Sequence, residues 1–508
     1  MTSPTFADDL LAQAARDPHA IAIVTDEDQV GYGELAERIE QLARQLRAAG
    51  LGPEQVCAVA VERGVDAVVA MAAVARAGGA FLTLDIDLPA PRLAALATGG
   101  GARCLLTRSA LAERLALPVD GPTVLLDRPP EPDATPLPDP DLHPHALAYV
   151  SHTSGSTGTP NPVLIEHRGL SSYLRSVVRD NGLGPDTIAL QLAPLGYDAS
   201  IRDTFAPLAA GGRLVLVRRA RLMRADALTQ VLDEYGVDTI LSTTPSFLTF
   251  LAQHPDAAER LRGIRLLACS GESLRPFLAA GGRSLLTGRL VNQYGPTECT
   301  MTTTRYEVPA DPGTSADPVG TPIEGTTVHL LDQRLHPVPE GSVGEIHIGG
   351  LGVARGYGGR PGRTADRFLP DPYGAPGARM YRTGDLARRW PDGTVEYLGR
   401  ADRQIKIRGY RVDPAEIEGA LLGHPRITGA AVIAETDDRG RVWLSAHVTG
   451  PLDGVGDAAL RAHLATTLPP YMMPRRFTRI ERLPVTHSGK ADRAALLRRA
   501  RPVAEPAS

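Results

Sequence analysis

At 508 residues the chain is longer than the roughly 250–300 at which a single hydrophobic core stops growing, so more than one domain is expected. Its apolar share of 43% argues against wholesale disorder, and a formal net charge of −4 leaves no basic footprint for nucleic acid and no attraction to an anionic membrane. Local basic clusters, Arg218-Arg219-Ala220-Arg221 and Arg498-Arg499-Ala500-Arg501, read as solvated surface.

The first twenty residues carry early acidic side chains and no apolar run, so they are not a signal peptide, and no later stretch reaches about 18 consecutive apolar residues. A cytoplasmic location is the expectation. Residues 33–50 predict an amphipathic helix, with Leu35, Ile39, Leu42 and Leu46 at helical spacing and Gly50 as its stop. A strand at 56–61, a helix at 66–79 and a strand at 80–85 follow. The proline-rich stretch 127–145 reads as a loop, with His143 and His145 on its surface. Strand-helix alternation returns at 185–193, 203–210, 213–217, 226–235, 239–242 and 264–268, which predicts α/β layers with largely parallel sheets. From about 318 to 398 glycine, proline and short β-prone runs such as 344–350 and 394–399 predict a smaller β-rich unit. The last part predicts a compact α+β unit: helix 414–422, strands 429–434 and 442–448, helix 457–467. Cys57, Cys104, Cys269 and Cys299 show no C-x-x-C spacing and read as buried thiols, not as a disulfide framework or a zinc site.

The most informative stretch is Thr153 to His167, TSGSTGTPNPVLIEH, after the strand expected at 146–150. Its glycines let the backbone fold closely around an anion. The N–H groups of Ser154, Gly155, Ser156, Thr157 and Gly158 and the hydroxyls of Thr153, Ser154, Ser156 and Thr157 could cradle phosphate. It is not the common phosphate-binding loop, which needs a lysine, nor the G-x-S-x-G nucleophile elbow. Alone, such a loop is more often a linker than a site.

Behind it, in order, stand NQYGPTE (292–298), GEIHIGGLGVARGY (344–357), YRTGDLARRWPDGTVEYLGRADRQIKIRGYRVDPAEIE (381–418) and LPVTHSGKADRAAL (483–496), with ARAGGAFLTLD (75–85) ahead of it. The set resembles the ANL superfamily of adenylate-forming enzymes, and specifically the adenylation domains of nonribosomal peptide synthetases, over essentially the whole chain. The resemblance implies an α/β fold: a large N-terminal domain (1–400) with two β-sheets flanked by helices and a β-barrel subdomain, and a small, mobile α+β C-terminal domain (401–508). It implies attack of an amino acid carboxylate on the α-phosphate of Mg-ATP, giving an aminoacyl adenylate and pyrophosphate. Transfer to the phosphopantetheine thiol of a carrier protein would follow.

The resemblance also implies roles. Glu298 would help hold Mg²⁺, which takes hard oxygen ligands. Tyr294 would face adenine, with Asn292, Thr297 and Gly271 lining the nucleotide pocket. Asp385 would accept from the ribose hydroxyls, bordered by Tyr397 and Arg400. Lys490 would meet charge developing in the first step. Asp402 would be the hinge that withdraws Lys490 and brings the face around Gly409 forward for the second step. The chain departs from the family where Asn161-Pro162 replaces the usual Lys-Gly. One positive charge is lost at the outgoing pyrophosphate, so weaker ATP binding or a slower first step is expected, with activity retained.

GYDAS (196–200) matches the family's pattern for the substrate ammonium, which Asp198 would pair. The rest of the implied pocket is Ala199, Arg202, Ser242, Ala268, Ser270, Gln293, Met301 and Thr302. Arg202 is unusual there. A guanidinium among small polar residues predicts an acidic substrate side chain such as glutamate, aspartate or 2-aminoadipate. Alternatively it pairs with Asp203 or another wall residue and the substrate is small and polar; a β-amino acid also fits. Only about 18 residues follow Lys490, so the expectation is a free-standing enzyme serving a carrier in trans, with a piece of a larger synthetase as the alternative, and with or without a small MbtH-like helper. An acyl-CoA or aryl-acid ligase, a D-alanine–carrier ligase and a silent binding module stay open as alternatives.

Overall fold

The computed structural model describes residues 5–128, 140–155, 160–401, 404–407, 409–436, 442–452, 454–484 and 491–500. The chain divides into two compact units: Met1–Ile86, Leu96–His152 and Pro162–Asp402 form one, and Asp87–Ala95, Thr153–Asn161 and Arg403–Ser508 the other.

In the larger unit the expected apolar spacing becomes the helix Tyr32–Ala48, which buries Tyr32, Leu35, Ile39, Leu42, Ala43 and Leu46 along one face. Gly50 follows at φ +90°, a left-handed stop that a Cβ would disfavour. The helix Val65–Arg76 is apolar all round and buries Ala67 through Ala75, as a helix packed on several sides must. Between them, Val56–Ala60 is buried at every position, the pattern of a parallel strand covered on both faces.

A 7-stranded sheet orders Gly356–Tyr357, Asn161–Glu166, Leu147–Thr153, Ala80–Thr83, Val56–Ala60, Ala102–Thr107 and Thr123–Leu125. Cys57 and Cys104 are cross-strand partners in it, and all four cysteines are buried and free. A 14-stranded sheet has a parallel run, Ile21–Thr25, Arg213–Leu216, Ile188–Leu190, Thr239–Thr243, Leu266–Ser270 and Arg289–Tyr294. It continues antiparallel through Thr304–Val308, Pro318–Pro322, Val395–Arg400, Arg379–Arg389, Val343–Gly350 and Thr326–Leu331. The β-rich stretch is therefore hydrogen-bonded into the α/β layer, because Pro318–Pro322 pairs with a strand of each on its two edges. This continuity brings Asp385 and Arg400 into the same sheet as Tyr294.

The smaller unit holds a 3-stranded sheet of Gly429–Thr436, Val442–Thr449 and Arg476–Arg479 and a 2-stranded ribbon, Ile405–Ile407 with Tyr410–Val412. The helix Pro414–Leu422 opens on proline after Asp413, whose carboxylate accepts the N–H of Ala415, and Asp457–Ala465 packs against it. Their core is Val412, Ile417, Leu421, Val432, Leu444, Leu460 and Leu464. Among the described residues no helix is long and apolar enough to cross a membrane.

Candidate active site

Three parallel strands, Thr239–Thr243, Leu266–Ser270 and Arg289–Tyr294, lie side by side and deliver Ser242, Ser270 and Gln293 at their carboxyl ends. That edge is where open α/β sheets bind ligands. Strand alternation puts Asn292 and Tyr294 on one face and Gln293 on the other. A Cβ on Gly295 would come within 2.4 Å of the Met301 carbonyl oxygen, so the chain can turn here only with glycine. The turn closes through Thr300 and Met301, both left-handed (φ 58° and 71°), at a cost of roughly 1–2 kcal/mol per residue. It returns Thr303 N–H to the Tyr294 carbonyl at 2.8 Å and places Thr302 beside Gln293.

The helix expected at 203–210 begins one turn earlier, at Ala199, directly after Asp198. Asp198 and Arg202 are thus four residues apart on one helical face. Arg202 is only 2% exposed. Its NH1 donates to Gln293 Oε1 at 2.7 Å and lies 3.2 Å from both Tyr173 OH and Thr302 Oγ1. Its NH2 donates to Ser242 Oγ, whose own hydroxyl donates to Asp203 Oδ1. Asp203 lies 3.7 Å from Arg202 Nε, too far for a hydrogen bond but close enough for attraction, and it accepts the N–H groups of Leu192 and Ala193. Arg202 therefore has the wall partners that the alternative reading anticipates. Even so, Arg202 Nε and Gln293 Nε2 are buried donors, and Asp198 Oδ2 a buried acceptor, with no hydrogen-bond partner among the described residues. Burial pushes the Asp198 carboxyl above its usual range, against the pull of the Thr297 hydroxyl and Arg202. The Ala199 carbonyl lies 3.5 Å from Ser242 Oγ, and Ala268 and Met301 are buried nearby on the strand and turn just described.

At the other end of the same strand edge, Tyr294 OH donates to Asp385 Oδ2 at 2.6 Å, and Arg400 NH1 donates to Asp385 Oδ1 at 2.7 Å. Asp385 and Arg400 are register partners on adjacent antiparallel strands, which is why two residues 15 apart meet. The Tyr397 ring lies 6.0 Å from that of Tyr294. Burial first, and then Asp385, push the Tyr294 phenol well up, so it stays a donor. Asn292 donates to the Pro318 carbonyl at 2.9 Å. Glu298 is fully buried, and Tyr357 OH donates to its Oε1 at 2.7 Å. Gly271, next to Ser270, sits at φ +88°.

The strand Leu147–Thr153 runs three residues beyond its expected end, so Thr153 keeps sheet geometry where the glycine-rich stretch begins. Thr153 and Ser154 are buried, and Ser154 Oγ has no partner among the described residues. Gly155 N–H donates to Glu416 at 3.4 Å, and Glu416 also pairs with Arg92 of the same unit. Asn161 is fully buried and donates from Nδ2 to the Ser154 carbonyl at 3.1 Å. The neutral side chain that stands in the lysine position is thus turned onto its own loop. Ser156, Thr157, Gly158, Asp402 and Lys490 lie outside the described residues.

Sequence reasoning did not name Tyr173 or Tyr357. Tyr173 stands 29 residues from Arg202 and Tyr357 stands 59 from Glu298, and neither belongs to a local pattern that announces the contact. Asp203 was visible only as a neighbour in sequence.

A family model described as "AMP-binding enzyme" matches residues 10–358, and one described as "AMP-binding enzyme C-terminal domain" matches 416–490. The chain is 42% identical over 501 residues to "Phosphinothricin tripeptide synthetase PhsB" of Streptomyces viridochromogenes, covering 96% of this chain and 41% of that protein. It is 37% identical over 489 residues to "Dimodular nonribosomal peptide synthase" of Bacillus subtilis, covering 95% of this chain and 20% of that one. The chain thus spans less than half the length of these two curated relatives. Among solved structures, "NpsA-ThdA, an artificially fused Adenylation-PCP di-domain NRPS from Klebsiella oxytoca" superposes with TM-score 0.83 at 26% identity, covering 94% of each chain.

Proposed function

Because the chain belongs to the AMP-binding enzyme family, the ANL superfamily of adenylate-forming enzymes that includes nonribosomal peptide synthetase adenylation domains, we propose that it activates an amino acid with ATP. A carboxylate oxygen of the amino acid bonds to the α-phosphorus, pyrophosphate leaves with the electron pair, and an aminoacyl adenylate remains. The thiol of a phosphopantetheinyl carrier protein then attacks the acyl carbon and AMP departs. The carrier is inferred from relatives named as synthetases and from a neighbour solved as a fusion of adenylation and PCP domains.

The observation that carries this reading is the set of unpaired buried atoms around Asp198 and Arg202. An unpartnered carboxylate oxygen calls for a cationic donor, which an amino acid's ammonium supplies and a fatty or aryl acid does not. In this proposal Asp385 takes the ribose hydroxyls, supported by Arg400 and Tyr294, and Tyr397 borders the sugar. Asn292, Thr297 and Gly271 line the nucleotide, and Thr153, Ser154, Gly155, Ser156, Thr157 and Gly158 take its phosphates. Glu298 fits Mg²⁺ as a buried hard-oxygen donor, and no cluster of three or more potential ligands surrounds it among the described residues, so the nucleotide's phosphates would complete the ion's shell. The ion would supply neutralising charge at those phosphates. Lys490 would stabilise charge at the reacting carboxylate and α-phosphate, and Asp402 would be the hinge between the two steps.

For the side chain, the two unpartnered donors, Arg202 Nε and Gln293 Nε2, favour an acceptor-rich group, and a carboxylate best. A neutral polar side chain is the second reading, favoured by Asp203, which already balances part of the Arg202 charge. Substrate-dependent ATP–pyrophosphate exchange across the proteinogenic amino acids, 2-aminoadipate and several β-amino acids tests both. A signal from one acidic substrate supports the first, one from a neutral polar substrate the second, and silence with every amino acid refutes the activity. Arg202→Glu is expected to abolish exchange with acidic substrates; an unmoved preference would exclude Arg202 as their partner.

At the glycine-rich stretch, Asn161→Lys is expected to lower the KM for ATP several-fold in low salt, with little loss of the gain as ionic strength rises, because position 161 is buried. An unchanged KM at low salt would show that the missing charge handicaps nothing.

A further inference from the structure

Tyr173 belongs to none of the sets that the sequence motifs or the family resemblance supply, yet it is 3% exposed with its hydroxyl 3.2 Å from Arg202 NH1. It projects from the helix His167–Asp180, which packs on the Arg202 helix Ala199–Ala209. Its one hydroxyl proton goes to Thr302 Oγ1 at 3.1 Å, and Thr302 in turn donates to Gln293 Oε1 at 3.4 Å. Each oxygen of this Tyr173–Thr302–Gln293 chain has spent its proton or has none, so all three turn lone pairs toward NH1. On the other side Ser242 and Asp203 hold NH2 and face Nε. The guanidinium is gripped from two sides, and its pose depends on both grips.

Resting on the amino acid reading above, we propose that Tyr173 is a positioning residue for Arg202 and thereby a determinant of which side chains the enzyme accepts. A phenol suits the task. It accepts from a cation without adding a buried negative charge to the one that Asp203 supplies, and its ring is buried in the hydrophobic core while its oxygen reaches Arg202. Loss of the hydroxyl removes the head of the chain and one acceptor from a buried charged donor, leaving the guanidinium free to tilt.

The test is a double-mutant cycle in the exchange assay, using the amino acid that the wild type prefers, with Tyr173→Phe, Arg202→Met and the double variant. Tyr173→Phe is expected to raise the amino acid KM roughly tenfold, as loss of a hydrogen bond to a charged group does, with the KM for ATP and the melting temperature unmoved. In the Arg202→Met background the same change is expected to cost nothing further. Additive effects would overturn the assignment, as would a KM for ATP that rises together with a lowered melting temperature. Should Arg202→Met not fold, Arg202→Lys keeps the charge, lacks the fork and serves in its place. A wild type silent with every amino acid would overturn the underlying activity, and Tyr173's role with it; an active wild type with an additive cycle overturns Tyr173's role alone.

Discussion

Asp198→Ala is expected to lower kcat/KM for the amino acid by roughly a thousandfold while leaving ATP binding intact, because it removes the one partner proposed for a buried ammonium; breaking such a pair costs about 3–5 kcal/mol. The effect on stability should run the other way. Burial raises the Asp198 carboxyl's pKa, so the folded chain holds its proton to higher pH than the unfolded chain does. Stability then falls as pH rises from the unfolded carboxylate value through the folded one. Above that window the folded protein carries a costly charge, so Asp198→Asn, which keeps the shape, should melt at a higher temperature than the wild type at neutral pH and match it in acid. Exchange kinetics paired with melting curves at several pH values check both halves. Retained activity, or a lower melting temperature at neutral pH, would mean that the carboxylate serves the fold and not the substrate.

Asp385→Ala should damage the other end of the site in two ways at once. It leaves Arg400, whose side chain is 10% exposed, without its carboxylate and Tyr294 without its acceptor, at a cost of about 3 kcal/mol in stability. It also removes the group proposed to hold the ribose, so the KM for ATP should rise by about a hundredfold if both hydroxyl contacts are lost. Asp385→Asn separates the two effects. An amide can still accept from Tyr294 or Arg400 and should recover much of the melting temperature, but it cannot accept at both of its atoms and should bind ATP poorly. A normal KM for ATP in both variants would remove Asp385 from the nucleotide's site and leave it a structural anchor.

Much of this layout is legible along the chain. The helix Tyr32–Ala48 follows from four aliphatic residues at helical spacing, because burial on one face is a local property of the pattern. Tyr294, Asp385 and Arg400 stand out because each sits in a distinctive short motif. Their mutual contacts do not. They arise because Pro318–Pro322 joins an antiparallel β stretch to a parallel sheet, a pairing that no periodicity encodes.

By itself the sequence determined the family, the alternation of elements, the small and hydroxylated stretch Thr153 to Thr159 with asparagine in place of the family's lysine at 161, and the presence of a cation at 202 four residues after an anion at 198. These are readable because spacing and side-chain chemistry are properties of short stretches. Only the tertiary structure decided what Arg202 faces. Residue 202 alone offers five N–H donors and a charge, which fits an acidic substrate and an internal partner equally well. Tyr173, Gln293, Thr302, Ser242 and Asp203 come from five different segments, two helices, two strands and a turn, and their convergence on one guanidinium depends on helix packing and strand register. The same holds for Asn161, where the residue type shows the lost charge but only the fold shows the amide bound back to Ser154. A buried polar group must find a partner, and which partner it finds is settled by chain segments far away in sequence.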